Sequence, residues 1–110
     1  MKMIRAVIRS EREEAVLQNL EAAGLYAITK EPVLGRGRQR GIQVGQISYD
    51  TLAKLMILLV VEEKDYPKAV EAIEKGAETG HPGDGKIFVQ NVSEVYTIRT
   101  GEKVKEAVSL

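Results

Sequence analysis

The order of periodic segments along this chain predicts an α+β sandwich of ferredoxin-like βαββαβ topology: an antiparallel sheet, two helices on one of its faces and a long loop between strands two and three. Three observations carry this reading. An alternating segment is followed by a helical one and then by a β-rich one; the same order recurs after an aperiodic stretch; and each helical segment runs out at a glycine. With 110 residues and 44% apolar side chains, the chain fits a single domain, 1–110, around one packed core.

"KMIRAVIR" alternates as a strand does, with Lys2, Ile4, Ala6 and Ile8 on the more apolar side and Met3, Arg5, Val7 and Arg9 on the other. Ser10 with Glu13 three residues on has the form of a capping box, and Val16, Leu17, Leu20 and Ala23 follow at helical spacing as far as Gly24. "LYAITKEPVL" is rich enough in apolar and β-branched residues for a second strand. From Gly35 the pattern loses its period through "GRGRQRGIQVGQISYD", a loop of about sixteen residues, long enough to suggest a functional role or disorder. "LAKLMILLVVEE" reads as the buried centre of the sheet, because its Ile, Leu and Val content favours a strand and its length is too short for a bilayer. Asp65 is placed to cap a second helix with Pro67 in its first turn, Ala69, Val70, Ile73 and Ala77 form its inward stripe, and Gly80 ends it. "KIFVQNVSEVYTIRT" supplies one or two further short strands.

Composition narrows the function classes. There is no cysteine, no apolar run of transmembrane length and no charged leader with a cleavage site, so neither disulfides, membrane insertion nor export is expected, and a cytoplasmic location follows by default. Basic and acidic residues number 16 each, so an anion site has to come from local clustering, and Arg36, Arg38 and Arg40 form one such cluster. That cluster is open to a second reading as a solvated charge run. A single histidine, His81, leaves a metal cluster or a Ser-His-Asp triad without a second member, and it reads as a surface loop residue. Phe88 and Tyr96 fall in predicted strands, where aromatic residues ordinarily pack in the core or on the sheet. An RNA-binding sheet would need paired aromatics, and 5% aromatic content without an RNP-like motif offers little to stack on, so no nucleic-acid partner is expected.

"TGHPGDGKIFV" is the segment closest to known chemistry. From Gly80 to Lys86 it follows a P-loop consensus, but Ile87 stands where a Ser or Thr should ligate magnesium, and a helix leads in where a strand should. A Walker-type NTPase is therefore rejected. Gly80, Gly83 and Gly85 still allow the backbone to turn N–H groups toward an oxyanion, with Lys86 as a point charge beside them. The alternative is a glycine-rich turn with a solvated lysine. Asp84 has two readings of its own, as a ligand contact or as a brace for its own turn.

Set together, "GRGRQRG", "TGHPGDGKIFV" and "IRTGE" (98–102), in this order and at this spacing, resemble the PII family of nitrogen-regulatory signal proteins over nearly the whole chain. The resemblance implies a compact homotrimer whose three clefts between neighbouring subunits each bind ATP or ADP. It divides the chain into a protruding T-loop at 37–51, a phosphate-binding B-loop at 79–86 and a C-terminal loop and tail at 97–110. It assigns the phosphates to Gly83, Asp84, Gly85 and Lys86, with Arg99 adding charge from the last strand and Arg38 reaching across the subunit boundary, while Thr29, Gly35, Gly37 and Val60 line the nucleoside end. It further implies 2-oxoglutarate as a second ligand, held with Mg²⁺. Gln39 would complete the metal shell through its amide oxygen, with Arg40 and Gly41 beside it, and Lys54 would pair with a ligand carboxylate. An all-oxygen shell suits Mg²⁺, and the arginine fork suits a phosphate tail.

Four departures from the family pattern are visible. The loop is some four residues shorter than is typical of the family, Tyr49 does not align with the tyrosine that a modifying enzyme uridylylates, Leu58 replaces a glutamate that contacts the base, and Thr97 replaces a phosphate-contacting arginine. The short loop is most similar to PII-like proteins encoded within nitrogen-fixation operons, which act with a second PII-like subunit to inhibit dinitrogenase. Dinitrogenase is accordingly the implied partner and an ammonium transporter the alternative. A regulator is expected rather than an enzyme, since an acylphosphatase-like hydrolase would need a catalytic group beside the anion site and none can be named.

Overall fold

The computed structural model describes residues 1–36 and 51–106, together with the backbone of two short strands, Ile42–Val44 and Ile47–Tyr49. The elements run β1 (Lys2–Arg9), a 3-10 turn (Ser10–Arg12), α1 (Glu13–Ala22), β2 (Thr29–Gly35), β3 (Ile42–Val44), β4 (Ile47–Tyr49), β5 (Leu52–Val61), α2 (Tyr66–Ala77) and β6 (Gly85–Asn91). The main sheet has the order β2-β5-β1-β6, with every neighbouring pair antiparallel. This is the predicted ferredoxin-like arrangement: each helix carries the chain past one strand of the sheet.

The alternation in β1 sets the layers. Ile4, Ala6 and Ile8 are buried, and their partners on β5, Leu59, Ile57 and Leu55, are buried on the same face. Val16 and Leu20 of α1 and Ala69, Ile73 and Ala77 of α2 close this face. Each fully buried Val, Leu or Ile side chain among them stabilises the fold by about 1.5–3 kcal/mol relative to exposure. The helices approach closely because residue 76 is glycine: a Cβ there would lie 2.8 Å from the Cα of Val16. Asn19 Nδ2 and Arg12 Nε cross the same contact to the carbonyls of Ala72 and Gly76, at 3.1 and 2.9 Å.

Several local expectations change. Ser10 does not cap α1: it opens the 3-10 turn, and neither the turn nor α1 has a side-chain cap. Asp65 occupies the N-cap position of α2 without bonding its amides, its carboxylate lying 3.5 Å from Lys68 Nζ instead. α2 ends at Ala77, with Glu78 already extended, so Gly80 belongs to the following turn rather than to the helix end. Within the segment read as an aperiodic loop, β3 and β4 pair antiparallel with Val44 opposite Ile47, because β-branched residues flank a two-residue connection. β6 is the last strand. Beyond it, among the described residues, only the isolated bridge Tyr96–Lys103 remains, and Arg99 therefore lies in a turn, not in a strand.

Among the described residues, no helix packs on the second face of the main sheet. Met3 and Val7 of β1 and Met56, Leu58 and Val60 of β5 are only half-buried there, and Phe88 of β6 is 54% exposed. A shallow recess of about 480 Å³ on this side is lined by Arg5, Val7, Met56, Phe88, Val89 and Gln90. Among the described residues, no helix is long and apolar enough to cross a membrane.

Candidate functional site

The turn between α2 and β6 is built on three glycines and braced by one carboxylate. Gly80, Gly83 and Gly85 all have positive φ, at 83°, 100° and 111°. The two oxygens of Asp84 take four donors. Oδ2 accepts from the N–H groups of Thr79 (2.8 Å) and Gly80 (3.0 Å), and Oδ1 accepts from the Thr79 hydroxyl (2.5 Å) and from Arg9 Nε (3.2 Å). These hydrogen bonds, those from the Thr79 hydroxyl and amide foremost, hold the Asp84 carboxyl well below the usual carboxylate range. Between its two readings, the geometry makes Asp84 the brace of its own turn.

This bracing decides which amides remain for an anion. Thr79 and Gly80 spend theirs on Asp84, and His81 donates to the Thr79 hydroxyl at 3.2 Å. The N–H groups of Gly83 and Asp84 meet no acceptor at ordinary hydrogen-bond geometry among the described residues. Two cations lie under the turn. Arg9 Nη2 donates to the carbonyl of Pro82 at 2.6 Å, and Lys54 Nζ donates to the carbonyl of Gly83. Lys54 is buried, and Gly35 leaves room for its stem, a Cβ on residue 35 falling 3.2 Å from Lys54 Cγ. Lys86, the second residue of β6, lies opposite Val7 and is exposed, with no ion pair among the described residues.

The residues assigned to the nucleotide by resemblance fall into two groups within one chain. Gly35, Lys54 and Gly83 through Lys86 meet at the end of the sheet where β1 exits. Thr29, opposite Leu58, and Val60, opposite Met3, lie toward the other end, and the six-residue step from Lys54 to Val60 spans about 20 Å of strand. Gly35, grouped by sequence with the nucleoside end, thus stands with the phosphate turn. Arg99 is exposed and makes no hydrogen bond or ion pair with the turn among the described residues. Gly37, Arg38, Gln39, Arg40 and Gly41 lie outside the described residues, and Arg36, at their border, is exposed.

Arg9 and Thr79 were not singled out by sequence. Thr79 could have been noticed, since a Thr five residues before Asp in a glycine turn is a local partner. Arg9 carried a weaker signal, as the last residue of an alternating strand whose partner lies 75 positions away. For a magnesium ion the donor set is informative: the turn offers cations and N–H groups, and its carboxylate is already committed to four donors. An ion here fits only if phosphate oxygens bring most of its shell.

The profile of the family described as nitrogen regulatory protein P-II matches residues 1–102. Similar proteins include a nitrogen fixation nifHD2 region GlnB-like protein 1 of Methanosarcina barkeri, 50% identical over 103 residues, which cover 94% of this chain and 98% of that protein. A nifHD region GlnB-like protein 1 of Methanococcus maripaludis is 52% identical over 100 residues, covering 91% and 95%. A nitrogen regulatory protein P-II 2 of Methanothermobacter thermautotrophicus is 48% identical over 112 residues, covering 98% and 97%.

Proposed function

Because the chain belongs to the nitrogen regulatory protein P-II family, we propose that it is a signal protein that binds ATP or ADP and 2-oxoglutarate and uses its 37–51 loop to control a partner, inhibiting dinitrogenase when fixed nitrogen is plentiful. The observation that carries the ligand reading is the turn at Gly83 and Asp84. Two N–H groups meet no acceptor among the described residues, a cation lies under each adjoining carbonyl, and Lys86 stands exposed beside them. This arrangement suits a phosphate chain. It supports binding rather than turnover, because Asp84, the carboxylate in reach, is held ionised by its donors and is a poor proton acceptor.

Two features support a cleft between subunits. The residues assigned to the nucleotide are split between sheet ends about 20 Å apart in one chain, farther than the phosphate tail of one nucleotide reaches. The helix-free sheet face is apolar and needs a cover, which neighbouring copies in a trimer, or a second PII-like subunit, would provide. Magnesium, carried by the phosphates and completed by Gln39, would make ATP and 2-oxoglutarate tighten each other's binding. For the partner, support comes from the nifHD-region names of the relatives. A relative named nitrogen regulatory protein P-II 2, with no nitrogen-fixation region in its name, leaves room for the second reading, a regulator of an ammonium transporter or another nitrogen-metabolism enzyme.

Calorimetry with ATP, ADP and 2-oxoglutarate, with and without Mg²⁺, tests the ligand reading. Oxoglutarate should bind only when Mg²⁺ and ATP are both present. A monomer that takes up no adenine nucleotide under these conditions overturns the proposal. Capture of purified dinitrogenase, released by ATP with oxoglutarate, tests the partner; capture of an ammonium transporter instead selects the second reading.

A further inference from the structure

We infer that Arg9 and Lys54 are positioning residues for the phosphate turn: by holding the carbonyls of Pro82 and Gly83, they aim the N–H groups of Gly83 and Asp84 at an anion before any ligand arrives. The inference rests on the nucleotide reading above and gives Lys54 a task separate from any carboxylate ligand.

The argument is one of peptide geometry. In a trans peptide the C=O and the N–H of the next residue point in opposite directions, and the described chain has no cis bond. Arg9 Nη2 holds Pro82 O at 2.6 Å, so the N–H of Gly83 points away from the Arg9 guanidinium. Lys54 Nζ holds Gly83 O, so the N–H of Asp84 points away from the Lys54 amine. Two successive carbonyls are thus drawn to the two cations and two successive N–H groups are turned from them, the arrangement of an anion-binding concavity. Gly83 permits this because its φ of 100° excludes most side chains, and because a Cβ there would lie 3.0 Å from Arg9 Nη2. Arg9 also offsets the charge of Asp84, which would otherwise repel a phosphate, through Nε at 3.2 Å. Lys54 is 8% exposed, so its amine meets the carbonyl with little competition from water. The anchors sit on the two central strands, β1 and β5, the least deformable part of the sheet.

The test must separate aiming from mere charge. Arg9→Lys keeps the charge but replaces a fork that serves two acceptors with a single amine; Lys54→Met keeps the stem and removes the donor. Lys75→Met, on the exposed side of α2, controls for net charge. Without ligand, the amide resonances of Gly83 and Asp84 should move in the first two variants and not in the control. Without oxoglutarate, ATP affinity should fall about tenfold in each of the two, the worth of one charge-assisted hydrogen bond. The loss should persist at about 1 M salt, where long-range attraction is screened. If wild-type protein binds ATP and both variants bind it equally, the inference is wrong and the nucleotide reading stands. If wild-type protein ignores ATP while its Gly83 and Asp84 amides respond to inorganic tripolyphosphate, the aimed turn stands and the nucleotide reading falls. No response to either removes both. Should Lys54→Met unfold the chain, Arg9→Lys alone decides, since it preserves size and charge.

Discussion

A Cβ on Gly85 would stand 1.8 Å from the carbonyl oxygen of Val7, so the first residue of β6 can only be glycine while β6 keeps its register on β1. The same residue has φ 111°, which few side chains tolerate. Gly85→Ala should therefore destabilise the domain by about 2–5 kcal/mol, from the sum of overpacking and left-handed strain. Denaturant titration measures this, and an unchanged midpoint would show that the β1–β6 contact differs in solution.

Asp84 predicts an unusual acid tolerance of the turn. Its carboxyl is depressed by the Thr79 hydroxyl and amide, then by Arg9 and the Gly80 amide. A depressed acid contributes order that is fully present above the unfolded value of about 3.9 and lost as pH falls through the lower folded value. At about pH 4, where a free aspartate is half protonated, the amides of Thr79 and Gly80 should still be protected from hydrogen exchange. Protection that fades with a midpoint near that of free aspartate would mean the four-donor cage does not persist in solution. Asp84→Ala should remove the protection at every pH.

Lys86→Ala should lower ATP affinity about 10- to 100-fold, as expected for losing a charge-assisted bond to phosphate. The thermal midpoint should hold, because the side chain is exposed and has no ion pair among the described residues. Equal affinity by calorimetry would remove Lys86 from the site.

The layered fold was legible because its signals are local. The alternation of Ile4, Ala6 and Ile8 and the helical spacing of Val16 with Leu20 both survive into the core. Turn chemistry was half legible: three glycines marked a backbone able to face an oxyanion, but which N–H groups remain for it depends on Arg9 and Lys54, whose hydrogen-bond partners lie 73 and 29 positions away. Local rules also misled. Ser10 with Glu13 has the form of a capping box, yet the chain leaves β1 through a 3-10 turn, and the packing of α1 on α2, where Arg12 reaches Gly76, is met without a cap. Phe88, read as packing in the core or on the sheet, lies on the sheet surface and is 54% exposed.

That open face gives the next prediction. Phe88 stands opposite Arg5, and Leu58 flanks Arg5 from the other side, on a sheet surface without a helix. Phe88→Ala should leave the isolated fold intact, since the ring is 54% exposed, yet weaken the proposed oligomer by removing apolar area from its contact. Light scattering that still shows a trimer would place the contact elsewhere.

The split of the assigned residues between two sheet ends gives a prediction about mixing. Thr29→Trp fills the nucleoside end with a bulky ring, and Lys86→Ala removes charge from the phosphate end, so each variant alone should bind ATP poorly. If each cleft takes its nucleoside end from one chain and its phosphate end from the next, then random mixing in a cyclic assembly recreates an intact cleft at about a quarter of the interfaces. Co-expression of the two variants should thus restore about a quarter of the wild-type binding capacity at wild-type affinity. A cleft built within one chain gives no such recovery, because every chain then carries one defect. Titration calorimetry on the co-expressed mixture, with the two separate variants as references, therefore reads the connectivity of the site directly: a capacity near zero would place both ends of the nucleotide on the same subunit.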